Sequence, residues 1–123
     1  MVKRDVRDPE THLPLTPAEF EVLIALADGE KHGYAILKEV TRRTRGEVRF
    51  GTATLYAILR RFVSEGLLAE SAERPVASLD DERRRYFGLT DFGRRVAARE
   101  AARMETALAM ARSKNLIRKP RLA

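Results

Sequence analysis

The stretch from Gly51 to Gly93 constrains the fold of this chain more than any other part of it. It begins with an amphipathic segment, GTATLYAILRRFVSEG, that stops at Gly66. Apolar residues at helical spacing followed by a glycine predict a helix that ends there. A short apolar run, a polar loop and a second run, RRRYFGLT, come next and predict a β-hairpin. Thr90 then precedes another helical pattern, for which it is the predicted N-cap.

Two shorter helices are predicted upstream. The segment Thr16-Pro17-Ala18-Glu19 combines an N-cap residue, a proline at the first helical position and a glutamate three residues on, which is the pattern of a capping box. We expect this first helix to end at Gly29. The second helix is expected to open near His32-Gly33-Tyr34 and to close at Gly46.

The remaining elements complete a recognisable order. The third helix is predicted over about 52–65, a short strand from Leu67, a turn region over 72–82, a return strand over 83–89 and a last helix over 91–113. Three helices followed by a hairpin is the order of a winged helix-turn-helix. We therefore expect a mainly α-helical fold with a small β-hairpin. The predicted units are a flexible N-terminal arm (1–14), a winged helix-turn-helix DNA-binding domain (15–90), a C-terminal dimerisation helix (91–113) and a basic tail (114–123).

The positive charge is concentrated in one segment. Residues 31–63 hold eight Lys or Arg against two glutamates, an excess of +6 that equals the net charge of the whole chain. Arginine-biased coding is the alternative explanation of the basicity, since arginine far outnumbers lysine, but it gives no reason for a local concentration. The charge and the predicted fold together favour double-stranded DNA as the partner.

The third helix is the predicted recognition helix. With Leu55, Leu59 and Phe62 directed inward, its other face carries small residues, which allow close approach to a groove, and long donors, which reach phosphates or base edges. The alternative is an ordinary solvated helix face. The predicted contacts are Thr52, Thr54, Tyr56, Arg60 and Arg61 on this helix, Lys38, Arg42 and Arg43 on the second helix, and Arg83, Arg84 and Arg85 on the hairpin. The hairpin arginines lie beside Asp80, Asp81 and Glu82, so an internally paired charge run is the alternative there.

The last helix is the predicted dimerisation element. Its apolar residues recur at 4-3-4-3 spacing, which is a heptad-like seam. The seam is poor in large side chains, so the first helix of a second copy is expected to contribute to the interface. Packing of this helix back onto its own domain is the alternative. The predicted dimer contacts are Phe20, Leu23, Ala97, Ala101, Met104, Leu108 and Ala111.

Other classes of function find little support in the sequence. The chain has no Cys, and His12 and His32 are far apart with no obvious third ligand, so we expect neither a metal nor another cofactor. No arrangement of a nucleophile and a base suggests an enzyme. Tyr34 and Tyr86 are predicted to be packing residues. Neither a membrane span nor a secretory signal is visible, and a cytoplasmic protein is expected.

The chain resembles the PadR family of bacterial transcriptional regulators. The matching pieces are HGYAILKEV at 32–40, TLYAILRRFVSEGLL at 54–68 and RRYFGLTDFG at 84–93. The resemblance implies a homodimer joined through its C-terminal helix that binds a two-fold operator, usually as a repressor released by a small-molecule effector. The sequence is similar to the subgroup with a single helix after the hairpin. It departs from the family pattern at Phe87, at Gly51-Thr52-Ala53 and in its acidic hairpin tip.

Two other classes of protein compete with this interpretation. One is a regulator of the MarR type, which is disfavoured because only about fifteen residues precede the first helix. The other is a winged helix used for protein contact that binds no DNA. The operator sequence, the regulated gene and the identity of any effector do not follow from the sequence.

Overall fold

The computed structural model describes residues 7–75 and 83–118, and it describes side chains over 7–71 and 85–118. A short 3-10 turn over Pro9–His12 comes first. The helices and strands that follow are α1 (Pro17–Ala25), β1 (Lys31–His32), α2 (Gly33–Arg43), α3 (Thr52–Ser64), β2 (Leu68–Pro75), β3 (Arg83–Leu89) and α4 (Asp91–Ser113). The fold is mainly helical with a small antiparallel sheet, as predicted. None of the described helices is long and apolar enough to cross a membrane.

The predicted helix starts are confirmed by their capping hydrogen bonds. The Thr16 hydroxyl accepts from the Glu19 backbone N–H at 3.1 Å, and the Glu19 carboxylate accepts from the Thr16 N–H at 2.8 Å, which completes the capping box. Thr90 caps α4 through an N–H of Gly93 at 2.9 Å. The ring of His32 caps α2, because its Nδ1 accepts from the Ala35 N–H at 3.2 Å.

The end of α3 follows its predicted glycine, whereas α1 and α2 end before theirs. Gly66 directly follows the C-cap of α3 and has a φ of +84°, a left-handed conformation that suits glycine. Its position lets the Leu67 N–H reach the Phe62 carbonyl at 2.8 Å and turns the chain into β2. In contrast, α1 ends at Ala25, before the predicted stop at Gly29, and α2 ends at Arg43, before the predicted stop at Gly46.

The sheet has three strands in the order β1-β3-β2, all antiparallel. The two-residue strand β1 was not predicted, because two residues carry no periodicity; it forms through pairing of Lys31 with Phe87 and His32 with Tyr86. β2 extends to Pro75, into the segment predicted as a turn, with an irregular register between Ser71 and Arg74. The reason is that pairing with β3 stabilises this polar stretch, although its own side chains do not form a strand pattern. The rest of the predicted turn lies outside the described residues.

The core lies between the helices and one face of the sheet. Its largest fully buried side chains are Phe62, Phe92, Leu23, Leu26, Ile36, Leu55, Leu59, Leu67 and Leu68. Phe87 contributes from β3 and Val96 from the first part of α4. Tyr34 was predicted to be a packing residue, and this is corrected by the structure: its side chain is 57% exposed on α2.

The described part of the N-terminal segment differs from the predicted flexible arm. The Arg7 guanidinium lies 4.0 Å from the ring centre of Phe92, and its Nη1 donates to the Glu65 carbonyl at 2.6 Å. Glu10 forms an ion pair with Arg99 on α4. These contacts join the segment to the end of α3 and to α4, and they depend on partners too distant in sequence for a local pattern to reveal.

Candidate nucleic-acid interface

The outer face of α3 is exposed as predicted. Leu55, Ile58, Leu59 and Phe62 are buried, whereas the residues that point away from the core are exposed: Thr52, Ala53, Thr54, Ala57 and Arg60. The amphipathic pattern of α3 therefore positions small residues along its first two turns and a long donor on its third. A face of this composition can enter a groove and still reach a phosphate or a base edge.

Three cations of the basic segment are engaged within the protein. Lys31 pairs with Asp28 and lies 3.6 Å from Glu39. Arg43 pairs with Glu21 and also lies 3.6 Å from Glu39. Arg61 pairs with Glu19 on α1. These three side chains join α1, α2 and α3 to one another, and their charges are largely compensated.

Glu19 takes part both in the ion pair with Arg61 and in the capping box of α1. Burial alone would raise the pKa of the Glu19 carboxyl. The Thr16 backbone N–H and the Arg61 guanidinium outweigh that effect and hold the pKa below its usual range. Glu19 therefore stays ionised and keeps Arg61 turned toward α1.

The other cations of the segment carry uncompensated charge. Across residues 7–71 and 85–118, no ion pair is found for the other five, which are all exposed: Lys38, Arg42, Arg45, Arg49 and Arg60. Arg49 donates from its Nε to the Gly46 carbonyl at 3.2 Å. The Lys38 ammonium lies 5.4 Å from the ring centre of Tyr34, one turn earlier on α2. The uncompensated positive charge thus lies on the outer sides of α2 and α3 and on the turn that joins them.

Tyr56, a predicted DNA contact, is half-buried. Its ring packs directly against Gly33, where a Cβ atom would lie 2.7 Å from the Tyr56 Cζ. The ring therefore holds α3 against the beginning of α2, and its hydroxyl lies at that junction. Tyr56 has a packing role whether or not the hydroxyl also reaches DNA.

The hairpin contributes one described arginine. Arg85 on β3 forms an ion pair with Glu70 on β2. The backbone of Arg83 and Arg84 pairs with Pro75 and Arg74, but their side chains lie outside the description. Asp80, Asp81 and Glu82, the acidic tip, also lie outside the described residues.

The predicted dimer contacts fall into two groups. Ala101, Met104 and Leu108 are exposed on α4, with Met104 at 40% and Leu108 at 46%, and Ala111 is half-buried. Leu23 is fully buried in the core of its own chain, and Phe20 and Ala97 are half-buried against that core. Sequence reasoning missed Met110 and Leu116, two further exposed apolar residues near the end of α4.

Glu100 is a buried carboxylate that sequence reasoning also missed. It accepts the Leu15 N–H at 2.8 Å and the Arg103 Nε at 2.6 Å. The hydrogen bond from Arg103 is the main cause that lowers the pKa of Glu100; burial opposes it, and the Leu15 N–H adds to it. The position is four residues after Val96 on the buried side of α4, a spacing that would have indicated an inward-facing residue.

This arrangement of three helices, a small antiparallel sheet and a long fourth helix is that of a winged helix-turn-helix protein with a C-terminal extension. The model of the family described as "Transcriptional regulator PadR-like family" matches residues 22–99. The chain therefore belongs to the PadR-like family, whose members are transcriptional regulators and not enzymes. This membership decides against the MarR-type alternative.

Solved structures share the fold. A transcriptional regulator from Clostridium thermocellum has 20% identity and a TM-score of 0.62, with 77% of this chain and 86% of that chain covered. A PadR family regulator from Eggerthella lenta has 29% identity and a TM-score of 0.57 over 80% of this chain and 82% of that one. Bacillus subtilis PadR, solved in complex with operator DNA, has 18% identity and a TM-score of 0.56 over 89% of this chain and 52% of that one. No curated protein matches the sequence significantly.

Proposed function

We propose that this chain is a DNA-binding transcriptional repressor that acts in the cytoplasm as a homodimer on an inverted-repeat operator and responds to a small-molecule effector. The observation that carries the proposal is the division of the basic segment. Lys31, Arg43 and Arg61 are compensated by carboxylates, whereas the exposed cations on α2, on α3 and on the turn between them are uncompensated: Lys38, Arg42, Arg45, Arg49 and Arg60. Cations that are not paired with carboxylates of the protein are available to bind the phosphates of a polyanionic ligand.

Each helix has a distinct role in this proposal. α3 enters the major groove with Thr52, Thr54 and Arg60 toward the base edges. α2 lies across the backbone, where Lys38 and Arg42 contact phosphates. The complex of Bacillus subtilis PadR with operator DNA supports this placement by similarity of fold. The hairpin arginines, Arg83 to Arg85, are proposed to follow the backbone beside the groove, and for Arg85 this requires exchange of its Glu70 partner.

The exposed side of α4 supports the homodimer. Met104 and Leu108 lie one turn apart with Ala101 and Ala111 on the same stripe. Within the described residues, Ala101, Met104 and Leu108 are exposed, and Ala111 is half-buried. Pairing with α4 of a second copy would bury the apolar stripe of each chain against the other. The resulting two-fold dimer would present its two α3 helices to successive major grooves.

The test is a binding titration with DNA from upstream of the coding gene. A labelled duplex containing an inverted repeat, with half-sites about one helical turn apart, is compared with a scrambled duplex by fluorescence anisotropy. We expect tighter binding to the repeat and a steep loss of affinity with salt, about 0.9 in log K per log salt for each phosphate neutralised. Absence of binding to any duplex at about 50 mM salt would favour the remaining alternative, a winged helix that contacts protein only.

A further inference from the structure

An N-terminal strap, residues 7–15, runs between the end of α3 and the first half of α4. On the α3 side, Arg7 donates to the carbonyl of Glu65, the C-cap of the helix, at 2.6 Å. The Nε2 atom of His12 lies 3.5 Å from the Glu65 carboxylate. Both side chains also lie against the ring of Phe92, Arg7 at 4.0 Å from its centre and His12 edge-on at 5.4 Å between ring centres. The strap is therefore held to the last turn of the proposed recognition helix.

The same strap contacts α4 near the middle of the helix. The Glu10 carboxylate accepts from the Arg99 Nε at 2.7 Å, and the Leu15 N–H donates to the fully buried Glu100 carboxylate at 2.8 Å. Beyond this turn, residues 101–110 are all exposed. Although α1 also packs against α4, the hydrogen bonds that reach Arg99 and Glu100 from outside the helix come from the strap, within the part of the chain that the structure describes.

The beginning of α4 is fixed independently of the strap. The Thr90 hydroxyl donates to the Gly66 carbonyl at 2.6 Å, and Gly93 lies directly against the backbone of Leu67. The strap contacts follow six to seven residues after Gly93, which is about 10 Å along the helix axis. Two fixed points along one helix set its direction, so the strap helps to set the angle at which α4 leaves the domain.

A small change in this angle becomes a large displacement at the proposed dimer contacts. Leu108 lies fifteen residues after Gly93, about 22 Å along the helix axis. A tilt of about 10° at Gly93 would move Leu108 by about 4 Å. That displacement is slightly larger than the rise of one base pair, about 3.4 Å. In a two-fold dimer both chains tilt, so the distance between the two α3 helices would change by a similar or larger amount.

We propose that the strap sets the separation of half-sites that the dimer prefers, with Arg7, Glu10 and Arg99 as positioning residues. The inference rests on the proposed function, in which α4 forms the dimer and α3 reads each half-site. The three side chains act by fixing the angle between α3 and α4 and make no contact with the duplex. All three are exposed, so substitutions there change the strap without opening the core.

The experiment reverses the charges of the Glu10–Arg99 pair in the full chain. Glu10→Arg raises the net charge by two and Arg99→Glu lowers it by two, but each places like charges opposite one another and should release the strap. The double variant restores both the ion pair and the net charge. Affinity is measured for duplexes whose half-sites are moved apart or together one base pair at a time.

The preference for the best separation over its neighbours should fall about threefold to fivefold in each single variant, the upper range for an exposed ion pair. It should return in the double variant. A general effect of charge would instead shift the two single variants in opposite directions, because their net charges change with opposite sign. The ratio between duplexes of different separation removes any uniform change in affinity.

A second measurement follows the geometry without DNA. The chain contains no cysteine, so Ala57→Cys on the exposed face of α3 accepts a single spin label per chain. Double electron–electron resonance then gives the distance between the two labels of a dimer. We expect a narrow distance distribution when the strap is unsubstituted, a shifted or broader one in Glu10→Arg and in Arg99→Glu, and a narrow one again in the double variant.

An unchanged half-site preference in both single variants would overturn the inference, as would a double variant that behaves like the single ones. A label distance that is the same in all four proteins would also overturn it. If the unsubstituted chain binds the inverted repeat and shows the label distance of a dimer, these results leave the DNA-binding proposal standing. If it binds no duplex or shows no distance between labels, the proposed function fails and this inference fails with it.

Discussion

Gly33 and Tyr56 fit together so closely that a side chain on Gly33 would displace the tyrosine ring. A Cβ atom on Gly33 would lie 2.7 Å from Cζ of the Tyr56 ring, well inside van der Waals contact. Gly33 begins α2 and Tyr56 lies on the second turn of α3. This contact therefore sets the distance between the two helices that carry the uncompensated cations.

Gly33→Ala should lower the free energy of unfolding by about 1–2 kcal/mol, because the tyrosine ring must leave its place. In a Tyr56→Leu background the same substitution should cost almost nothing, since the obstructing ring atoms are gone. Urea denaturation of the four proteins in this cycle measures the coupling. Additive effects would contradict the contact.

Gly93→Ala should be more costly than Gly33→Ala. A Cβ on Gly93 would lie 2.9 Å from the carbonyl carbon of Leu67, which is backbone and cannot rotate away. We expect a loss of about 3 kcal/mol in the free energy of unfolding. Gly51→Ala is the matched control, because its Cβ would meet nothing within 4 Å and its φ of −86° suits alanine. Similar losses for the two variants would argue against the close approach.

Ionised Glu100 should make stability depend on pH in the acid range. The hydrogen bond from Arg103, opposed by burial and aided by the N–H of Leu15, holds the pKa of Glu100 below the 4.5 of an unperturbed glutamate. Because the folded pKa is below the unfolded one, the stabilisation is complete above about pH 4.5 and is lost as the pH falls through the folded pKa. Glu100→Gln should flatten this decline in the free energy of unfolding.

The control for this prediction is Glu105→Gln, which changes an exposed carboxylate on the same helix. Glu19 and Asp28, whose pKa values are also lowered, remain in both variants, so their contributions cancel in the comparison. Denaturation curves between neutral pH and about pH 3 provide the measurement. Parallel pH profiles for the two variants would show that Glu100 does not cause the loss of stability in acid.

Arg60 and Arg61 should differ in their effects although they are neighbours. Arg60 is exposed and uncompensated, whereas Arg61 is paired with Glu19. Arg60→Ala should weaken duplex binding and, if the guanidinium contacts a phosphate, reduce the salt slope by about 0.9 per site. Arg61→Ala should leave duplex affinity nearly unchanged and lower stability by at most about 1 kcal/mol. Fluorescence anisotropy at several salt concentrations tests this, and equal losses of affinity would refute the division of the basic segment.

Met104→Glu combined with Leu108→Glu should convert the proposed dimer to monomers. Two charges per chain would enter the apolar stripe without partners, which is strongly unfavourable. Thr106→Glu places one charge about 200° around the helix from Met104 and should leave the dimer intact. Light scattering at micromolar concentration gives the mass. A monomeric mass for the unsubstituted chain would contradict the proposed dimer.

The sequence alone determined the order of the four helices and the hairpin, and where most of the helices begin. The capping box at Thr16, the glycine after α3 and the Thr90 cap are local signals, since each depends on residues within one helical turn. They predicted α3 and α4 almost to the residue. The amphipathic pattern of α3 likewise predicted which of its faces is buried.

Only the tertiary structure decided which charges are available to a partner. Arg60 and Arg61 are identical in type and adjacent in sequence, but Glu19, 42 positions from Arg61, compensates only one of them. The same holds for β1, which forms by pairing across 55 or so residues, for the exposed ring of Tyr34, and for the contacts of Arg7 with Glu65 and Phe92. A local sequence pattern predicts a secondary-structure element and which face of a helix is buried. Ion pairs and strand pairing between distant segments form only when the chain packs, so no local pattern predicts them.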